Sequence, residues 1–235
     1  MNGAQFSRVE LSFSIIVVGA LAVLVGGTNG LGDDTKSAID LAGEKTRQTA
    51  QVTDGKKLFA ALVNYAVFDD YPLYRDKEDP TTRVVDSNAV FEILLRGGYL
   101  ADKKPLYLKG SAWCQELEQD EKTAKDVRAG ENDWCYVGGL NRTSARAAWT
   151  ILANGFRPGT TAYVKDRLQL GGVWGGTGAV VVYCGGNAEV VETQERAGNY
   201  FVPRLDKKDA DAFAPEGEWL SGKYVKTFYP LIHAR

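Results

Sequence analysis

Hydrophobic and polar positions divide the chain into an uncharged opening, a mostly polar stretch of helical length and a longer mixed region. From Leu11 to Gly32 there is no charged residue, and the part up to Gly27 is apolar enough to enter a bilayer. A helix rising ~1.5 Å per residue spans ~30 Å of hydrocarbon with ~20 residues, so this run predicts a membrane-crossing helix. Gly26, Gly27, Gly30 and Gly32 follow within seven residues. Each costs a helix interior ~1 kcal/mol relative to alanine, so a continuous helix is expected to loosen or break near residue 30.

Asp33, Asp34 and Thr35 then offer N-caps for a second helix, and Leu58, Phe59, Leu62, Val63 and Ala66 recur on one face. The pattern predicts a helix from about Thr35 to Phe68, with interruptions at Gly43 and Gly55, ending before Pro72. Its upstream part, Lys36 to Gln51, is polar on most faces. Charges and two prolines make 69–82 a loop, and a short helix from Ser87 to Arg96 ends at Gly97-Gly98. Gly155 to Gly159 reads as a turn. The β-branched run Ala179 to Cys184, then Gly185-Gly186-Asn187, then Ala188 to Glu192 reads as a β-hairpin. Because that run directly follows the glycines at 171, 172, 175 and 176, they do not form a phosphate-cradling loop, which needs a helix after it. From Arg196 onward the chain is polar and turn-rich. Trp219, Tyr224, Phe228 and Tyr229 are expected to dock onto the globular part.

Charge and composition narrow the function classes. The 28 basic and 30 acidic side chains leave a net charge of −2, which removes the electrostatic case for a nucleic-acid binder. The only histidine is His233, so a His-rich zinc site, a paired-histidine protease motif and a His-pair relay are excluded, and a serine triad would need that one residue near the chain's end. Cys114, Cys135 and Cys184 are too few and too widely spaced for a cysteine-only zinc centre. Cys114 and Cys135 are open to two readings, a disulfide in an oxidising compartment or two unpaired buried thiols. The loop acids Asp69, Asp70, Asp76, Glu78 and Asp79 offer a weak calcium candidate, but their spacing matches no EF-hand. Glu116, Glu118, Asp120 and Glu131 are the carboxylates from which an acid–base pair could be drawn, yet such pairs are commonplace in a chain with 30 acids. The expectation is that the protein is not an enzyme and holds no cofactor.

Ahead of the apolar run the one positive charge is Arg8, and Glu10 sits directly against it. A secretory signal has a basic start and a small-residue cleavage site instead, whereas an acid at this boundary needs a partner. Phe6-Ser7-Arg8-Val9-Glu10-Leu11, followed by the apolar run with Gly19, resembles the N-terminal cleavage and methylation segment of type IV pilins and type II secretion pseudopilins. The resemblance implies that a prepilin peptidase cuts between Gln5 and Phe6 and methylates the new Phe6 amine. Glu10 would then neutralise a neighbour's N-terminus as copies pack into a helical filament, with Gly19 as the small residue in the packed helix. In this chain Gln5 stands where the family has glycine, Arg8 replaces an apolar residue, and the five-residue leader has no basic residue.

The likeness extends more loosely to residue 192, through Gly110-Ser111-Ala112-Trp113-Cys114 and through Asn132, Trp134, Tyr136, Val137, Gly139 and Leu140, which resemble a turn and a strand of prepilin-like proteins. A histidine and an aspartate of their C-terminal hairpin are replaced here by Gly175 and Gly185, so no role is carried over for those positions. The fold implied is α+β: a long N-terminal transmembrane helix, with the loosening or break expected near residue 30, then a globular head with a small antiparallel sheet. The expected organisation is a leader at 1–5, a hydrophobic transmembrane and assembly helix at 6–32, an extracytoplasmic helix at 33–68 and a head at 69–235. The implied location is the inner membrane, single-pass among its lipids with a periplasmic head, or a cell-surface filament once assembled. A tethered extracytoplasmic binding protein that never polymerises is the other reading of the same segments.

Overall fold

In the computed structural model the described residues are 32–66, 85–118, 121–138, 140, 150–157, 159–160, 162–205, 208–213 and 226–232. The side chains of 32–39 and 226 lie outside that description. The chain divides into two compact units, 1–38 and 39–235, and the account below concerns the second.

Helix α1 spans Gly32–Tyr65, 34 residues without interruption. It continues through Gly43 and Gly55, where the sequence predicted breaks. No side chain or backbone lies within 4 Å of where a Gly43 Cβ would stand, so that glycine is tolerated on an open face. Gly55 is required by a close approach. An added Cβ would stand 2.7 Å from Val182 Cγ2 and 2.9 Å from Trp134 Cη2. The buried stripe of α1 is Glu44, Gln51, Gly55, Leu58, Ala61 and Leu62, steps that keep one helical face inward. Two of those six are polar, which explains why the upstream half carries no legible apolar face.

Among the described residues no helix is long and apolar enough to cross a membrane. This corrects the expectation of a fold built on a long transmembrane helix with a small sheet, and with it the single-pass, inner-membrane placement. The long described helix, α1, supplies no such span, because its Asp40, Glu44, Lys45, Arg47, Asp54, Lys56 and Lys57 would each be costly in hydrocarbon. The leader at 1–5 and the apolar run at 6–31 lie outside the described residues.

Helix α2, Ser87–Arg96, is capped by Asp86, whose carboxylate accepts from the Ala89 amide at 2.9 Å. Its Val90, Phe91, Leu94 and Leu95 are fully buried. The main sheet is antiparallel throughout and five-stranded, larger than expected. Its strands are β1 (Trp134–Gly138), β2 (Thr150–Asn154), β3 (Gly178–Tyr183), β4 (Ala188–Glu192) and, after a separate hairpin, β7 (Lys226–Phe228). Their order is β4-β3-β2-β1-β7. The hairpin of β3 and β4 pairs Val180 with Val190, as its apolar run and glycine turn predict. Strand β7 pairs Tyr136 with Phe228, stacking their rings at 6.2 Å, so part of the aromatic tail is built into the sheet. Trp219 and Tyr224 lie outside the described residues. Strands β5 (Gln194–Arg196) and β6 (Asn199–Phe201) form a two-stranded sheet of their own.

Every residue of β1, β2 and β3 is buried, whereas β4 is largely exposed, as befits an edge strand carrying Glu189 and Glu192. Trp134 anchors the core, its indole NH donating to the Pro105 carbonyl at 2.8 Å. That bond holds the ring in place, so Gly55→Ala forces a contact that cannot relax and is expected to cost ~1–3 kcal/mol in urea unfolding. Gly43→Ala, on the open face of the same helix, is expected to gain up to ~1 kcal/mol. Equal midpoints for the two variants would show that α1 does not seat on Trp134 as described.

Candidate functional site

A polar seam ties α1 to the loops at one end of the sheet. The Glu44 carboxylate, almost fully buried, accepts from Arg167 Nη2 and from Thr177 Oγ1 at 3.4 Å. Two turns further on, Gln51 donates to the Tyr107 carbonyl at 3.0 Å and accepts from Asn154 Nδ2 at 2.7 Å. Asn154 Oδ1 in turn accepts from the Trp174 indole at 3.1 Å. The buried polar groups of this seam satisfy one another, so it is a fixing device rather than a reactive centre.

The carboxylates considered for acid–base work are placed differently from one another. Glu131 accepts from Lys103 Nζ and from the Arg128 amide, both at 2.7 Å, which commits it to a buried ion pair. Glu116 and Glu118 are exposed, and Asp120 lies outside the described residues. So do Gln5, Phe6, Glu10, Gly19, His233 and the loop acids Asp69, Asp70, Asp76, Glu78 and Asp79. Among the described residues no group of three or more His, Cys, Asp or Glu is placed to hold a metal ion.

Cys114, Cys135 and Cys184 are all unbridged in the structure. Burial pushes all three thiols up: Cys114 and Cys135 far up, with the charge of Asp133 adding to the effect, and Cys184 up to about 12. Protonated thiols are poor nucleophiles, so these sulfurs act as packing groups. Between Cys114 and Cys135 in the sequence stands Asp133, which neither composition nor spacing singled out. Its carboxyl is fully buried, accepts from the Gly155 amide at 3.1 Å through Oδ1, and leaves Oδ2 without a partner among the described residues. Burial pushes it up to about 8, against the opposing pull of the Ser111 hydroxyl and the Gly155 amide.

A concave feature on the same unit is a cleft of about 410 Å³ walled by three segments. One is the turn after β2, closed by the Arg157 amide donating to the Ala162 carbonyl at 3.0 Å and the Thr160 amide to the Arg157 carbonyl at 3.1 Å. The second is the hairpin of β5 and β6, whose two-residue turn has Ala197 at φ 52 and Gly198 at φ 79. Alanine rarely takes that conformation, and its use here keeps Arg196 and Asn199 opposite each other across the hairpin. The third carries Asp211, bridged to Pro203. Tyr163 joins the first two walls by exchanging both backbone hydrogen bonds with Tyr200, at 2.7 and 3.0 Å. Below it, Phe156 packs against Tyr163 and Phe213 with ring centroids 4.7 and 4.6 Å away, an apolar base that holds the walls in place.

Arg157 and Arg196 therefore line one cleft from two sides. Sequence reading missed both because Arg157 lies in a segment legible only as a turn and Arg196 at the start of a tail with no periodicity. Nothing local marks two arginines 39 positions apart as neighbours. Comparison of the chain with family models, with curated proteins and with solved structures gives no match in any of the three.

Proposed function

We propose that the protein is a non-enzymatic structural subunit of a type IV pilus-like or type II secretion pseudopilus-like filament. The observation that carries this reading is Glu10, an acid set against an uncharged run from Leu11 to Gly32 within Phe6-Ser7-Arg8-Val9-Glu10-Leu11. Packing the apolar runs of many copies side by side removes them from water. A carboxylate drawn into such a core is tolerated only with a cationic partner, and the Phe6 amine of a neighbour supplies one. That pairing also sets the axial offset between copies. Further support comes from α1, which is unbroken to Tyr65 within the described residues. Prepilin peptidase is the implied processing partner.

Intact-mass and N-terminal peptide analysis of the protein from its own cells tests this reading. A chain beginning at N-methylated Phe6 and co-sedimenting with filaments is the expected result. Glu10→Ala is then expected to lower the filament fraction at least ~10-fold, the consequence of losing one buried charge pair, while the thermal unfolding of residues 39–235 stays unchanged. A chain found only as a monomer that begins at Met1 would overturn the proposal.

A further inference from the structure

Six large apolar side chains are exposed among the described residues, and three of them gather around the upstream half of α1. Leu41 is 58% exposed on the helix, Leu168 87% exposed on the loop after Tyr163, and Val190 41% exposed on β4. We propose that two copies of the chain meet at this patch across a two-fold axis, the Leu168 loop of each lying against β4 of the other. The contact needs neither Phe6 nor Glu10 and stands or falls separately from the filament reading.

One helical face ties the three positions together, since Leu41, Glu44 and Gln48 follow at i, i+3 and i+7. Arg167, next to Leu168, donates to the Glu44 carboxylate. Gly178 of β3 lies against both Val190 and Gln48, because a Cβ added there would stand 3.2 Å from Val190 Cγ1 and 3.4 Å from Gln48 Nε2. Leu168 and Val190 therefore border the same two turns of α1, and Leu41 lies one turn upstream. Scattered apolar side chains on a surface need no partner, whereas a cluster of this kind marks a contact site.

The loop holds Leu168 out in water. Asp166 Oδ1 accepts from the Leu168 amide and Oδ2 from Gln169 Nε2, both at 3.0 Å. At the neck the Val164 amide donates to the Gly171 carbonyl at 3.0 Å. A Cβ on Gly172 would stand 1.7 Å from the Asp166 carbonyl oxygen, so the two limbs touch backbone to backbone. An apolar side chain fixed in place by its own loop loses little freedom on being covered, which is what an interface anchor requires.

Charge decides what covers the patch. Lys45 and Lys165 are exposed on the helix and the loop, and Glu189 and Glu192 are exposed on β4. Lys165 and Glu192 form no ion pair among the described residues. A patch with an apolar centre, a basic side and an acidic side is its own complement after a half-turn. The two-fold brings Lys165 of one copy to Glu192 of its partner, twice, with Leu168 over Val190. A partner of one sign would leave half of the rim against like charge, and an anionic lipid surface would be repelled by Glu189 and Glu192.

The test places the photo-crosslinking residue benzoylphenylalanine at position 168 of the full chain, co-expressed with a longer, tagged copy that lacks it. Irradiation is expected to join the two chains, with the attachment mapped by mass spectrometry to 178–192 or 40–48 of the tagged copy. The yield is expected to be at least ~5-fold above that from the same residue at position 231, where Leu231 is exposed beside Asn88 of α2. Lys165→Glu is expected to cut the product at least ~5-fold with an unchanged melting temperature, and Glu192→Lys in the same chain to restore it. Repeating the pair in Glu10→Ala chains keeps this readout apart from filament assembly, and the product is expected to persist there. No joined chains, attachment to lipid or to a different protein in place of the tagged copy, loss of the product in Glu10→Ala chains, or no rescue by Glu192→Lys would overturn the proposal.

Discussion

Replacing Lys103 by alanine is expected to destabilise the protein by ~3–5 kcal/mol, one of the largest effects available from a single charged side chain here. Lys103 is 1% exposed and Glu131 8% exposed at the side chain, with Nζ and Oε2 2.7 Å apart. The pair sits where Lys103 N donates to the Lys122 carbonyl and Asp133 N to the Leu106 carbonyl, so backbone bonds on both sides leave it no room to open toward water. Without the ammonium group, Glu131 keeps, among the described residues, the Arg128 amide as its one hydrogen-bond partner for a desolvated negative charge. The cost is that of an orphaned charge and not the worth of the pair. Replacing both residues together, Lys103→Met with Glu131→Leu, is therefore expected to recover most of the loss. Urea unfolding of the two single variants and the double variant measures this. A Lys103→Ala cost under ~1 kcal/mol would mean that the pair is solvated.

Asp133 is expected to make stability fall as pH rises, opposite to the usual behaviour of a paired carboxylate. An aspartate in an unfolded chain ionises near ~3.9, whereas burial holds this one up to about 8 in the folded protein. Between those values the folded chain keeps a proton that the unfolded chain has released. The group's contribution is thus fully present below about pH 4, declines by roughly 1 kcal/mol per pH unit above it, and levels off once pH passes the folded value. Asp133→Asn keeps the shape and the oxygen that accepts from Gly155 but cannot ionise. It is expected to match the wild type near pH 4 and to exceed it by ~2–4 kcal/mol at pH 7 to 8. Parallel stability profiles for the two proteins across that range would show that Asp133 is solvated or paired when charged.

Elements whose signals are local are legible in the order of residues alone. Ser87 to Arg96 is helical because an apolar stripe and a paired glycine stop coincide, and Asp86 directly ahead of it supplies the cap. The β3–β4 hairpin follows from a β-branched run and a glycine turn. Strand β2 lies in a stretch with no alternation because all five of its residues are buried, which erases the period-two pattern. Strand β7 is three residues long in a polar tail, and only its pairing with β1 makes it a strand.

The candidate site divides in the same way. Glu10 and the uncharged run after it are readable from order alone, because the contrast between a charge and an apolar segment needs no partner to be seen. The helical character of 32–65 is readable too, but its continuity through Gly43 and Gly55 is not. Propensity sets an expense of ~1 kcal/mol per glycine, and contacts from Val182 and Trp134 decide whether one is required. Membrane crossing was inferred for a stretch outside the described residues, and the described helix proved too polar for it. Which acids are reactive is likewise invisible in the sequence: Glu131 is neutralised by Lys103, 28 positions away, while Asp133, two residues on, is left half-satisfied. Charge, period and turn chemistry are properties of neighbouring residues and so belong to the sequence. Burial, ion pairing and the convergence of Arg157 with Arg196 depend on which distant segments share a surface, and the packing of the sheet, α1 and the β5–β6 hairpin alone decides that.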